Sequence, residues 1–316
     1  MPIDAPIDPL TNLSAARFGL YIHFPYCLAR CPYCDFAVTV AREIPEKRYA
    51  DAILRELDLR IAEWPELRGR RLDSIFFGGG TPSLWQAEHV ERVIEGVRSR
   101  FDLSPTAEIS LEANPEVADA GRYEGYRRAG VNRLSLGVQS FDERTLRSLG
   151  RAHDAAQAER AFHIARAAGF DVVSMDFIYG VQGQSVEQVR ADAERAASLR
   201  PDHVSAYALT VERDVLAVET TLSRQLRKGE LTLPEESELV EMANAVVQGF
   251  EGAGLQRYET SNFARAGLHS RHNALYWTGG EYLAAGVGAV GLVHGVRYTN
   301  QRGTEHYLSS VEAGTN

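Results

Sequence analysis

Cysteine is scarce in this chain. There are 3 in 316 residues, and all of them, Cys27, Cys31 and Cys34, fall in one short stretch. Three clustered thiols in a chain this long exclude a disulfide framework. No run of about 18 apolar residues occurs, so no membrane-spanning helix is expected. The opening "MPIDAPIDPLTNLSAAR" lacks a basic segment followed by an apolar one, which excludes a secretory signal. Lys and Arg number 34 against 43 acidic residues, for a formal net charge of −9. That balance excludes the basic footprint of a nucleic-acid binder and a polybasic membrane anchor. Low-complexity tracts are absent as well. The expectation is a cytoplasmic protein in a reducing setting, with no nucleic-acid partner and no membrane span.

What the chain does have is a β/α alternation. Residues 1–17 are polar and Pro-containing and are expected to form a loose N-terminal arm. From Phe18 short apolar runs alternate with longer amphipathic stretches. The runs are "FGLYIHF", "DSIFFGG", "EISLEAN", "NRLSLGVQ", "DVVSMDFIYG" and "HVSAYALT", read as buried strands. Helices are expected near 46–62, 86–100, 117–129, 154–168 and 185–199. In the first of them Tyr49, Ile53, Leu57 and Ile61 share one face. Six strands alternating with helices imply parallel pairing through right-handed crossovers. A complete eightfold barrel would need further units. The fold class is therefore α/β: an incomplete six-unit (β/α) barrel over 18–210, with an appended C-terminal portion over 211–316. In that portion a helix is expected at 235–251, followed by the Gly-rich "YWTGGEYLAAGVGAVGLV".

Cys27, Cys31 and Cys34 have the spacing C-x3-C-x2-C and follow the first strand. In barrel-like α/β proteins that rim carries the chemistry. A cubane iron–sulfur cluster takes four thiolates, so three would leave one iron open to a non-protein ligand. The rival is zinc, with His23, Asp35 or a remote histidine as a fourth ligand. The blandest alternative is three unrelated buried cysteines.

Other polar residues stand at successive strand ends. "FFGGGTPSLW" offers Gly79, Gly80 and Thr81, where glycine lets a ligand approach the backbone or simply makes a tight turn. "LEANPE" offers Glu112, "SLGVQSF" Gln139, "GRAHD" Arg151, and "MDFIYG" Asp176 inside an apolar run. A buried carboxylate needs a partner. One ligand lying across a barrel mouth would require this distribution.

The cysteine motif resembles that of the radical S-adenosylmethionine (SAM) superfamily. The resemblance implies a [4Fe–4S] cluster on Cys27, Cys31 and Cys34, SAM on the open iron, and an electron donor for the cluster. "YIHFPYC…CPYCDF", "FGGGTPS", "EANPE", "NRLSLGVQSF", "LGRAH" and "MDFIYG" together look like the coproporphyrinogen dehydrogenase-like group. That likeness implies that Tyr21, Tyr33, Gly79, Gly80, Thr81, Glu112, Gln139, Arg151, Asp176 and Ala208 face SAM.

Two branches of this group differ in detail. Asp35 and Phe36 follow Cys34, where the dehydrogenases carry a further cysteine, and "HNALYW" stands at 272–277. Both features resemble the HemW-type heme chaperone branch. They imply heme contact by His272, Asn273, Tyr276 and Trp277, with His269 as a competing ligand, and transfer of heme to an acceptor protein. The alternative is a radical SAM oxidoreductase acting on coproporphyrinogen III or a related substrate. The resemblance also implies a small further domain after these residues, which this sequence does not contain.

Overall fold

The computed structural model describes residues 18–211 and 218–315. The arm expected over 1–17 lies outside the described residues. The six apolar runs form six parallel strands: β1 (Phe18–Phe24), β2 (Arg71–Gly79), β3 (Asp102–Ala113), β4 (Arg133–Gln139), β5 (Val172–Tyr179) and β6 (His203–Ala208). Each pairs with the next in sequence. The intervening helices are α1 (Glu46–Glu63), α2 (Ala87–Arg98), α3 (Ala120–Ala129), α4 (Glu143–Ser148), α5 (Ala155–Ala167) and α6 (Val186–Leu199). Capping boxes at Asp154 and Ser185 start the last two.

Alternation along each strand sorts the side chains. Leu20, Ile22, Ile75, Phe77, Leu134 and Val204 are fully buried in the main core. Val90, Val93, Ile94 and Val97, spaced as one face of α2, are buried in the same core. Alternate positions, among them Tyr21, Phe76, Ser110, Glu112, Ser135, Ser174, Asp176 and Ser205, line the barrel interior.

After residue 210 the chain adds strands to both edges of this sheet. Helices α7 (Thr221–Arg227) and α8 (Glu236–Gly252) precede β7 (Gln256–Arg257) and β8 (Asn262–Ala264). β8 runs antiparallel to β6. Helix α9 (Arg271–Thr278) leads to β9 (Glu281–Gly286), which pairs in parallel with the free side of β1. A hairpin of β10 (Val290–Val293) and β11 (Val296–Thr299), then α10 (Thr304–Glu312), complete the described chain. The sheet order is β11-β10-β9-β1-β2-β3-β4-β5-β6-β8-β7. The sequence expectation of an appended portion thus meets a single continuous sheet that borrows its outer strands from that portion.

β9 is held by a buried carboxylate. Glu56 of α1 is fully buried and accepts from Gly286 N at 2.8 Å, Tyr307 Oη at 2.7 Å and Asn300 Nδ2 at 2.6 Å. A carboxylate so placed ties helix, strand and C-terminal helix together, because removing it would orphan three donors.

Candidate functional site

A closed eightfold barrel fills its interior with branched apolar side chains. Here the inward positions carry Ser110, Ser135, Ser174 and Ser205, with Glu112 and Asp176 above them. They line a cavity of 830 Å³ that reaches from the cysteine loop to α9. That size is at the upper end of the roughly 300–1,000 Å³ typical of ligand pockets. Helix α9 closes the far end. A Cβ on Gly19, early in β1, would meet Leu275 and His272. Glu108, midway along β3, accepts from Ser270 Oγ and from the amides of Arg271 and His272.

The cysteine loop is fixed at both ends by backbone. Tyr26–Cys27 forms a short parallel ladder with Thr39–Val40. Thr39 N donates to Pro25 O at 2.7 Å, and Ala41 N to Cys27 O at 3.1 Å. The three free thiols all line the cavity. Thr81 Oγ1 donates to Cys27 Sγ at 3.5 Å, and Arg151 Nη1 to Cys31 Sγ at 3.6 Å. Burial raises the Cys27 thiol and pushes Cys34 up to about 11. Bound positive charge is what would turn such thiols into thiolates.

Zinc and a cluster ask different things of these residues. Among the described residues no three His, Cys, Asp or Glu side chains converge on one ion position. His23 cannot be a zinc ligand as it stands, since Nδ1 meets Tyr21 Oη at 3.0 Å and Nε2 meets Ala37 O at 2.9 Å. A cluster asks for less convergence, because each thiolate takes its own iron. Three free thiols on one fixed loop facing one cavity fit a cluster.

Beside the loop, Arg151 Nη2 donates to Asn114 Oδ1 at 2.7 Å and lies 3.7 Å from Glu116. Deeper in, Glu112 accepts from Gly79 N at 3.1 Å, and Ser135 Oγ donates to Asp176 at 3.0 Å. Among the described residues neither carboxylate forms an ion pair. Burial, then repulsion from Asp176, raises Glu112 to about 8. Burial also raises Asp176 to about 6, against the pull of Ser205 and Ser135. A cation beside them would favour the ionised form of both carboxylates. Gln139 also faces it, at a register shift in β4 and with φ of 65°. That conformation is uncommon for a non-glycine residue and gathers at functional sites. Tyr21, Tyr33 and Ala208 line the same cavity.

Gly79 and Gly80 line the same cavity, and the chain itself packs closely on each. Gly79 has φ of 112°, and a Cβ there would strike the His23 ring. Gly80 is not left-handed. A Cβ on it would lie 2.8–2.9 Å from backbone atoms of Phe24, Pro25 and Tyr26. The close approach at Gly80 is thus to the segment that carries Cys27. Gly80→Val is expected to lower cluster content along with SAM affinity, measured as iron per chain beside SAM binding. Wild-type iron content in a folded variant would contradict this.

"HNALYW" does not form one surface. His272 is buried, stacks on Phe76 with ring centroids 5.3 Å apart, and uses Nδ1 on Ser74 Oγ at 2.9 Å and Nε2 on Tyr276 Oη at 3.0 Å. Burial lowers it to about 4, so it is neutral. It shares the cavity with the cysteine loop, as do Asn273 and Tyr276, although its place in the sequence suggests separation. Axial ligation of heme by His272 would cost one of its two bonds. Tyr276 and Trp277 are about half exposed, at 45% and 48%.

Sequence reasoning passed over Ser74, Ser110, Arg133, Ser135, Ser174, His203 and Ser205, all of which line the barrel or its floor. A signal was present: a polar residue at every second position within otherwise apolar strands, as in "NRLSLGVQ".

Residues 21–196 match the Radical SAM superfamily. The Heme chaperone HemW of Escherichia coli (strain K12) is 39% identical over 276 residues, covering 87% of this chain and 70% of the relative. The Heme chaperone HemW of Mycobacterium tuberculosis (strain ATCC 25618 / H37Rv) is 37% identical over 317 residues, covering 99% and 79%. Among solved structures, coproporphyrinogen III oxidase (HemN) from Escherichia coli, a radical SAM enzyme, aligns with a TM-score of 0.79. It is 24% identical and covers 97% of this chain and 72% of that one, a likeness of fold. A barrel whose cysteine loop and strand-end motifs converge on one cavity, with these relatives over most of its length, belongs to the radical SAM superfamily and, within it, to the family of the HemW heme chaperones.

Proposed function

We propose that this chain is a heme chaperone that binds heme and passes it to an acceptor protein, on a scaffold that carries a [4Fe–4S] cluster and SAM. The observation that carries the reading is the likeness to HemW chaperones at 39% identity over 87% of the chain. Asp35 and Phe36 after Cys34 support it. Cys27, Cys31 and Cys34 hold the cluster. When bound, the cluster supplies one-electron chemistry and SAM a cleavable sulfonium. The chain's own part is to position them. Glu112 and Asp176 supply negative charge for SAM's cationic groups, and Thr81 and Arg151 hold the thiol loop in place. Tyr21, Tyr33, Gly79, Gly80, Gln139 and Ala208 complete the wall. Heme contact falls to Tyr276 and Trp277 on α9, with Asn273 and His272 behind them.

The test is an anaerobic heme titration of reconstituted protein, followed by mixing with an apo-hemoprotein, beside a parallel incubation with SAM, reductant and coproporphyrinogen. Saturable heme binding and transfer, with no protoporphyrinogen formed, is the expected result. Stoichiometric protoporphyrinogen would overturn the chaperone reading. His272→Ala is expected to shift the Soret band and weaken heme binding, and His269→Ala to leave both as in wild type. Wild-type affinity and spectrum in both variants would remove His272 from the heme site.

A further inference from the structure

The lower half of the barrel holds polar residues to which the cluster, SAM and heme sites proposed above give no role. Ser110 on β3 and Arg133 on β4 are register partners and wall the cavity below Glu112. Both are more than nine-tenths buried. Ser110 Oγ and Arg133 Nη2 have no hydrogen-bond partner among the described residues. Buried polar groups are nearly always satisfied, so two such orphans side by side call for a ligand. The other half of the guanidinium is engaged. Nη1 donates to Leu268 O at 3.1 Å and lies 3.5 Å from Glu108 Oε2. The charge of Glu108 is in turn spread over the start of α9. Beside them Ser174 Oγ meets His203 Nδ1 at 2.7 Å, and His203 Nε2 meets Tyr258 Oη at 2.9 Å. The nearby carboxylate of Asp176 is bonded to Ser135.

We propose that this lower lumen is a subsite for the carboxylate group of a small molecule, distinct from SAM and heme and recognised by Arg133 and Ser110. The open Nη2 of Arg133 and the Ser110 hydroxyl are two donors, one of them charged, that can each take one oxygen of a planar carboxylate. The inference stands on the lumen alone and does not depend on heme transfer. It gives the family's scaffold a small-molecule ligand of its own, held beneath the proposed SAM site.

The experiment measures the melting temperature of the full chain against propionate, acetate, phosphate and neutral acetamide at matched ionic strength. Arg133→Met would also release Leu268 and Glu108, so it is a poor probe. Ser110→Ala is the clean variant, because its hydroxyl has no hydrogen-bond partner among the described residues. Propionate and acetate should stabilise the wild type saturably, and acetamide should not. Ser110→Ala should keep the unliganded melting temperature and raise the half-saturating propionate concentration about ten- to a hundredfold, the loss of one hydrogen bond to a charged group. Saturating SAM should leave the propionate effect in place. The proposal fails if no carboxylate saturates, if Ser110→Ala responds as wild type does, if phosphate alone binds, or if SAM abolishes the effect.

Discussion

Cys31→Ala should yield a folded protein without a stable iron–sulfur cluster, and Cys27→Ala and Cys34→Ala should do the same. The chain has no other cysteine to recruit. Loss of one thiolate leaves an iron unsupported beside the site already open to a non-protein ligand. The fold survives because the loop does not rest on its thiols. Backbone bonds join Pro25 to Thr39 and Cys27 to Ala41, and Leu222 N donates to Pro32 O at 3.0 Å. His23 pins Ala37 from below. Tyr33 packs against the small cluster of Val211, Leu222 and Leu231. The metal-free melting temperature of each variant should therefore match that of metal-free wild type, while iron and sulfide per chain fall to background. Near-full iron in any one variant would refute ligation by three cysteines.

How much of this was legible in the sequence depends on what each signal requires. Buried parallel strands read as plain apolar runs, and helices declare themselves by their period. For that reason β1 to β6 appear where expected. β9 escaped, because "EYLAAG" is small rather than β-branched. Its last residue must be glycine, since a Cβ on Gly286 would lie 2.4 Å from His23 O. Its partner β1 is also remote in the chain, and pairing at that separation leaves no local trace. The rim of the site was legible, because strand ends in one barrel share one mouth. The floor was not. Arg133 or Ser110 alone looks like an interruption in an apolar strand, and becomes a feature once register sets the two side by side. Likewise "HNALYW" announces a helix, but only the packing of α9 against Gly19 and Ser74 turns His272 into the barrel.

Glu112→Gln should stabilise the ligand-free protein at alkaline pH and weaken its hold on a cationic ligand. Glu112 and Asp176 stand in the same cavity with no ion-pair partner among the described residues, raised to about 8 and about 6. A carboxyl whose folded pKa exceeds its unfolded value binds more protons in the folded state. Stability therefore falls as pH rises from about 4.5 to about 8, and the full loss is in place above that window. Moving one group from 4.5 to about 8 corresponds to at most roughly 4–5 kcal/mol. Glutamine removes the ionisation and still offers an oxygen to Gly79 N. Melting temperatures of variant and wild type should coincide near pH 4 and separate by several degrees near pH 9, with the variant higher. SAM affinity should respond in the opposite sense. In wild type it should rise with pH through the same window as Glu112 ionises, and in the variant that rise should flatten. The two readouts together separate a binding carboxylate from a merely structural one. A structural Glu112 would make the variant less stable at every pH. Equal melting temperatures across the whole range would mean that Glu112 does not titrate inside the cavity, and its place opposite a bound cation would fall with it.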